Sequence, residues 1–240
     1  MPSIKTKILS FAAKRYIDIS RYEKHSGLPE NFTITCHAGA MLTKANSLQS
    51  VEESVSWGAD VVEFDVSFRP DSTPVIIHNS SPESNQGVLL EKALEIVAKS
   101  ENCKINLDLK STKNLPEVDR LVRKHGLFDR VFYTGVFADW VDTVKATSEI
   151  PYYLNHNFSK EEANKESATA VAEKIKALGA CGLNSNLKFV TKEVVDVMHA
   201  NGLPVSLWTA KTPKDMAKAL KTCPNNITTK KPNTLKALIK

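Results

Sequence analysis

Short runs of apolar and β-branched residues alternate with stretches of helical periodicity along almost the whole chain. The strand-like runs fall near 32–37, 60–67, 73–78, 103–109, 130–134, 151–154, 181–185 and 203–208, with a weaker one at 226–229. Between most of them, apolar positions recur at three- and four-residue spacing. Leu48, Val51 and Val55 follow a capping Asn46 or Ser47 and stop at Gly58. Val88–Lys99, Leu115–His125 and Ala138–Ala146 read as helices. So do Ala168–Leu178 before Gly179, Lys192–Ala200 before Gly202, and Pro213–Leu220, where proline suits a first turn.

A repeating strand–helix order implies an α/β protein with a parallel sheet, either open or closed. At 240 residues the count fits a single-domain (β/α)8 barrel of the TIM type. Nine candidate strands exceed eight by one, and the 60–78 region leaves no room for a helix, so one run is surplus. No Pro/Gly/Ser-rich linker, low-complexity tract or charge block divides the chain. The barrel is expected over residues 31–240, with an N-terminal helical segment over 1–30 packed against it.

Several strand-like runs end by releasing a polar side chain. These are His37 after Thr35-Cys36, Glu63 and Asp65 in Val61–Val66, His78 after Pro74–Ile77, Asp108 and Lys110 in Ile105–Lys110, and Trp208. Barrel active sites gather at the C-terminal ends of the strands, so these positions converge. Glu63 and Asp65 lie two apart and share a face. Like charges on one face repel unless a cation neutralises them, and oxygen ligands suit one divalent ion, Mg2+ or Ca2+. Asp108 supplies a third carboxylate; the alternative is a salt bridge from one of the three to Lys110 or Arg69. His37 and His78 have the pKa range for an acid/base pair near neutral pH. Lys110 suits a phosphate as a point charge, and Trp208 offers either an apolar wall or core packing. Asn184 either meets a substrate or caps a turn, and His156 follows a strand near the rim. Cys36 does not pair with His37, because adjacent strand residues face opposite ways.

Composition changes this picture little. An apolar fraction of 42%, a charged fraction of 25% and a net charge of +5 are ordinary for a globular protein. The charge is too diffuse to argue for nucleic acid and mildly favours anionic small molecules. Four dispersed cysteines read as reduced thiols in a cytoplasmic protein. No apolar run approaches the ~20 residues that cross a bilayer. Residues 3–17 place Ile4, Ile8, Phe11 and Ala12 at helical spacing among basic residues. That segment either closes the base of the domain or lies on a membrane surface.

The motifs together resemble the glycerophosphodiester phosphodiesterase family. Its pattern runs His-Arg-Gly, Glu-Asn-Thr, Gly-Ala-Asp, Glu-x-Asp-Val and Pro-Val-x-x-His-Asp. Similar pieces here are His37-Ala38-Gly39, Ala45-Asn46-Ser47, Gly58-Ala59-Asp60, Glu63-Phe64-Asp65-Val66 and Pro74–Asn79. Asp108-Leu109-Lys110 is similar to the later Glu-x-Lys, and Trp208-Thr209 and Ile227-Thr228-Thr229 to the closing motifs. The resemblance implies a barrel that hydrolyses a small-molecule phosphodiester, with His37 and His78 as acid and base and Glu63, Asp65 and Asp108 on the metal. The spider-venom phospholipase D branch, acting on lysophospholipids, is a related alternative. Ala38, Ala45, Asn79 and Thr229 stand where the family carries Arg, Glu, Asp and Asp. A catalytically weakened phosphodiester-binding protein is therefore the other alternative.

Overall fold

The computed structural model describes residues 19–240. Eight parallel strands close into a barrel: β1 (Thr33–Cys36), β2 (Val61–Phe68), β5 (Lys104–Leu109), β6 (Val131–Val136), β7 (Tyr152–Asn155), β8 (Leu183–Asn186), β9 (Val205–Trp208) and β10 (Asn226–Thr229). The weak run at 226–229 is the closing strand, paired with β1 on one side and β9 on the other. β1 also pairs with β2, which completes the circle. Asp60 reinforces that seam from below, its Oδ2 accepting from the Ile34 N–H at 2.9 Å.

The surplus run is β3 (Pro74–Ile76), which folds back antiparallel on the upper half of β2 and pairs in turn with β4 (Val88–Leu89). The reason is the connection. Residues 69–73 form a tight turn, with the Arg69 N–H bonded to the Thr73 carbonyl at 3.0 Å, and a parallel return needs a crossover of a dozen residues or more. β2 therefore overshoots the barrel rim as one arm of a hairpin. The Ile77 N–H donates to the Asp65 carbonyl at 3.0 Å, so His78 arrives beside Asp65 from above and not from the end of a barrel strand.

Among the described residues, the outer layer comprises eight helices: α1 (Leu48–Trp57), α2 (Leu90–Val97), α3 (Leu115–Lys124), α4 (Val141–Thr147), α5 (Lys165–Leu178), α6 (Lys192–Ala200), α7 (Pro213–Leu220) and α8 (Pro232–Ala237). Several ends differ from the sequence expectation. Val88 and Leu89 are β4, α5 starts three residues earlier than expected, and α8 carried no clear signal. Ser47, not Asn46, caps α1, accepting from the Ser50 N–H, and Gly58 ends it in the left-handed region at φ 81°. On α2, Leu90, Ala93, Leu94 and Val97 recur at helical spacing and are fully buried against the sheet.

Most of the core lies between the sheet and the helices. Val62, Phe64 and Val66 of β2 face outward into it. Each such fully buried side chain contributes about 1.5–3 kcal/mol. The inward face of the barrel is polar by contrast: Glu63, Asp65, Asn106, Thr134, Asn155, Asn184, Ser206, Asn226 and Thr228 are all buried. This polar interior opens onto the C-terminal mouth.

Residues 19–30 form turn and extended structure without helix, with His25 bridging to Ile239. Ile19, Tyr22 and Leu28 pack on the core. The helix expected at 3–17, and any membrane contact it makes, lie outside the described residues. Among the described residues, no helix is long and apolar enough to cross a membrane.

Candidate active site

A cavity of about 1100 Å3 opens at the C-terminal ends of the barrel strands. All seven residues singled out from the sequence (His37, Glu63, Asp65, His78, Asp108, Lys110 and Trp208) line it. The register explains the carboxylates: β2 and β5 pair so that Asp65 lies opposite Asp108, and Glu63 projects from β2 one pleat below. Oxygens of the three lie within 4.8 Å of one another.

Glu63 is buried, and its Oε2 accepts from the Ala38 N–H at 2.7 Å. Burial, then Asp65 and Asp108, raise its pKa well above the ordinary carboxylate value; the Ala38 N–H and Lys110 only partly oppose them. Lys110 pairs with both Asp65, at 3.0 Å from Oδ1, and Asp108. Burial works against its charge, but the two carboxylates outweigh it and raise its pKa. Arg69 instead donates to the carbonyls of Gln86 and Gly87. Three carboxylates against one ammonium leave an excess of negative charge in a buried site. That donor set fits a hard divalent cation.

His37 Nε2 lies 3.9 Å from Glu63 Oε2, and its Nδ1 is buried without a hydrogen-bond partner among the described residues. Burial, and next the Lys230 ammonium, pull its pKa from 6.5 down to about 4. At neutral pH, His37 is an uncharged imidazole able to accept a proton. His78 is exposed at the mouth. Trp208 is half-buried on the opposite wall, its Nε1 also without a partner among the described residues. Asn184 donates to Asn155 Oδ1 at 2.9 Å within the polar interior. His156 does not line the cavity; it packs edge-on against Phe158. Burial pushes the Cys36 thiol up to about 12, which removes it as a nucleophile near neutrality. All four cysteines are free. A second acid/His group on the outer helices, Glu91, Glu95 and His125, is already offset by Lys124 and Lys92.

Sequence reading missed three contributors. Asn46 grips Asp65 at both ends: its Nδ2 donates to Asp65 Oδ2 at 2.6 Å, and its Oδ1 accepts from the Asp65 N–H at 3.0 Å. It does so at φ 54°, a conformation asparagine tolerates better than most residues. Thr134 Oγ1 lies 2.8 Å from both Asn106 Oδ1 and Asp108 Oδ1, and so orients the third carboxylate. Gly135, at φ 74°, lets β6 approach: a Cβ there would meet the Leu109 carbonyl oxygen at 2.5 Å and Asp108 Oδ1 at 2.9 Å.

The profile of the glycerophosphoryl diester phosphodiesterase family matches residues 25–85 and 80–234. The chain belongs to that family. It is accordingly a phosphoric diester hydrolase, and the (β/α)8 architecture recurs in solved structures. An Oleispira antarctica phosphodiesterase, solved in complex with the product sn-glycerol-3-phosphate, is 18% identical with a TM-score of 0.70, over 88% of this chain and 96% of that one. A glycerophosphodiester phosphodiesterase from Thermotoga maritima is 16% identical with a TM-score of 0.67, over 89% and 99%. One from Parabacteroides distasonis is 21% identical with a TM-score of 0.66, over 87% and 97%. No curated protein matches the chain.

Proposed function

We propose that this protein hydrolyses a glycerophosphodiester with the help of one divalent cation, Mg2+ or Ca2+, held by Glu63, Asp65 and Asp108. The carrying observation is the convergence of His37, His78 and three carboxylates on one cavity at the C-terminal mouth of a single barrel. The glycerol phosphate bound by the Oleispira antarctica relative supports the same product class here.

When bound, the cation supplies charge that offsets the phosphoryl oxygens as negative charge builds on them. Neutral His37 accepts a proton from the attacking water, whose oxygen forms the new P–O bond. His78 donates a proton to the departing alcohol oxygen as the old P–O bond breaks. The products are a phosphomonoester and a free alcohol. Lys110 keeps the carboxylates apart from full mutual repulsion and lends charge beside the phosphoryl group, while Trp208 walls the site. Where the substrate carries a neighbouring hydroxyl, its attack in place of water gives a cyclic phosphate.

A second reading concerns the alcohol. Phe137, 44% exposed, and Trp140 also line the cavity. That apolar wall favours a diester with an apolar arm, such as a lysophospholipid, over one with glycerol alone. The test is a panel of glycerophosphodiesters and lysophospholipids assayed with Mg2+ or Ca2+, with and without chelator. Turnover that chelator abolishes is expected, and its absence on every member would overturn the proposal.

Asn46 gives an independent check. Outer-shell partners of metal ligands typically contribute about 10–100-fold to metal affinity. Asn46→Ala should therefore weaken Mg2+ or Ca2+ binding by that factor in titration calorimetry, with the fold intact by circular dichroism.

A further inference from the structure

We propose that Lys230 is the side chain that binds the phosphoryl anion in this chain, on the wall where Ala38 contributes only a methyl group. The inference rests on the hydrolytic reading for the nature of the anion.

Four lysines line the cavity: Lys110, Lys211, Lys230 and Lys231. Lys110 is committed to Asp65 and Asp108. No carboxylate among the described residues forms an ion pair with Lys211, Lys230 or Lys231, so a positive rim stands above a negative floor. Lys230 is the member of that rim whose backbone is tied to the turn carrying His37. The His37 N–H donates to the Thr229 carbonyl at 3.0 Å, and the Met41 N–H to the Lys230 carbonyl at 2.9 Å. These two bonds join the turn after β10 to the turn after β1, on which Ala38 sits. Thr229 adds no counter-charge: its hydroxyl donates to the Ala210 carbonyl at 2.7 Å and accepts from the Lys231 N–H at 3.0 Å. The charge of Lys230 is felt in the site, being the strongest of the charges acting on His37.

A diester monoanion seated over the carboxylate-bound cation needs a donor that the acids have not claimed. An ammonium on a flexible stem reaches phosphoryl oxygens as a point charge. The pairing of a small residue at 38 with an uncompensated lysine at 230 therefore moves the anion-binding cation from one strand end to its neighbour. Charge-assisted hydrogen bonds of this type correspond to about 10–100-fold in affinity.

The test uses the full chain with Mg2+ and two probes, inorganic phosphate and sn-glycerol 3-phosphate, in titration calorimetry, alongside steady-state kinetics on a glycerophosphodiester. Lys230→Ala should weaken both probes about 10–100-fold and raise KM more than it lowers kcat, with an unchanged melting temperature. Lys230→Arg should restore binding, as should Ala38→Arg placed in the Lys230→Ala background. Unchanged affinity in Lys230→Ala, or no binding of either probe by the wild-type protein, would overturn the proposal. Failure of the hydrolytic reading looks different: the probes bind through Lys230 while no diester is cleaved.

Discussion

Glu63→Gln is expected to remove measurable binding of the divalent cation and to lower activity by several orders of magnitude, while the metal-free protein stays as stable as the wild type or becomes slightly more so. The substitution deletes one formal charge and one ligand from a site where oxygens of three carboxylates lie within 4.8 Å. The amide oxygen of glutamine can still accept the Ala38 N–H that Glu63 accepts at 2.7 Å, so the local backbone keeps its partner. Stability follows from the sign of the Glu63 shift. Its pKa is raised in the fold by burial and by Asp65 and Asp108. Above the ordinary carboxylate range, the folded state therefore holds a proton that the unfolded chain has released. Stability must then fall as pH rises through that window. Urea unfolding of the metal-free protein at a series of pH values should show this decline in the wild type and a flatter profile in Glu63→Gln. A variant that keeps wild-type affinity for the ion would show that Glu63 is not a ligand.

The residues legible in the sequence were those whose position alone carries meaning. A carboxylate or histidine at the end of an apolar strand stands out, and barrel geometry sends every such end to one mouth. The relation between Asp65 and Asp108, opposite each other in register, thus followed from two separate strands. Asn46 escaped because Asn and Ser are both good caps, and nothing local shows which one caps α1 and which one reaches the residue nineteen positions further on, Asp65. Thr134 and Asn155 escaped for a different reason. A strand that alternates polar with apolar residues reads as half-exposed, whereas here the polar face lines the barrel interior. Gly135 carries no local signal, since its need arises from the closeness of β5. The direction of β3 was decided by the turn at 69–73, and it changes how His78 reaches the site without changing that it does.

Replacing the two histidines tests whether they form one device. His37→Ala and His78→Ala should each lower kcat by about 10²–10⁴-fold, and the double variant should lose little more than the worse single one, because residues acting as a unit are non-additive. His125→Ala, on the outer helices beside Glu91, should be silent. The pH profile supplies a second readout. A general base works only when neutral, so the rate should rise with pH through the pKa of His37. Burial and Lys230 place that pKa near 4 in the metal-free protein, against 6.5 for an ordinary imidazole. A bound cation pushes it lower still, and a bound diester monoanion pushes it back up. The acidic limb should therefore lie below the ordinary histidine range, and it should move upward in Lys230→Ala, where one of the charges opposing imidazolium is gone. The limbs of the profile belong to the coupled pair rather than to either residue alone. NMR titration of the metal-free protein would locate the His37 pKa directly. If the two single losses instead multiplied in the double variant, with the acidic limb unmoved in Lys230→Ala, the shared acid/base assignment would have to be abandoned.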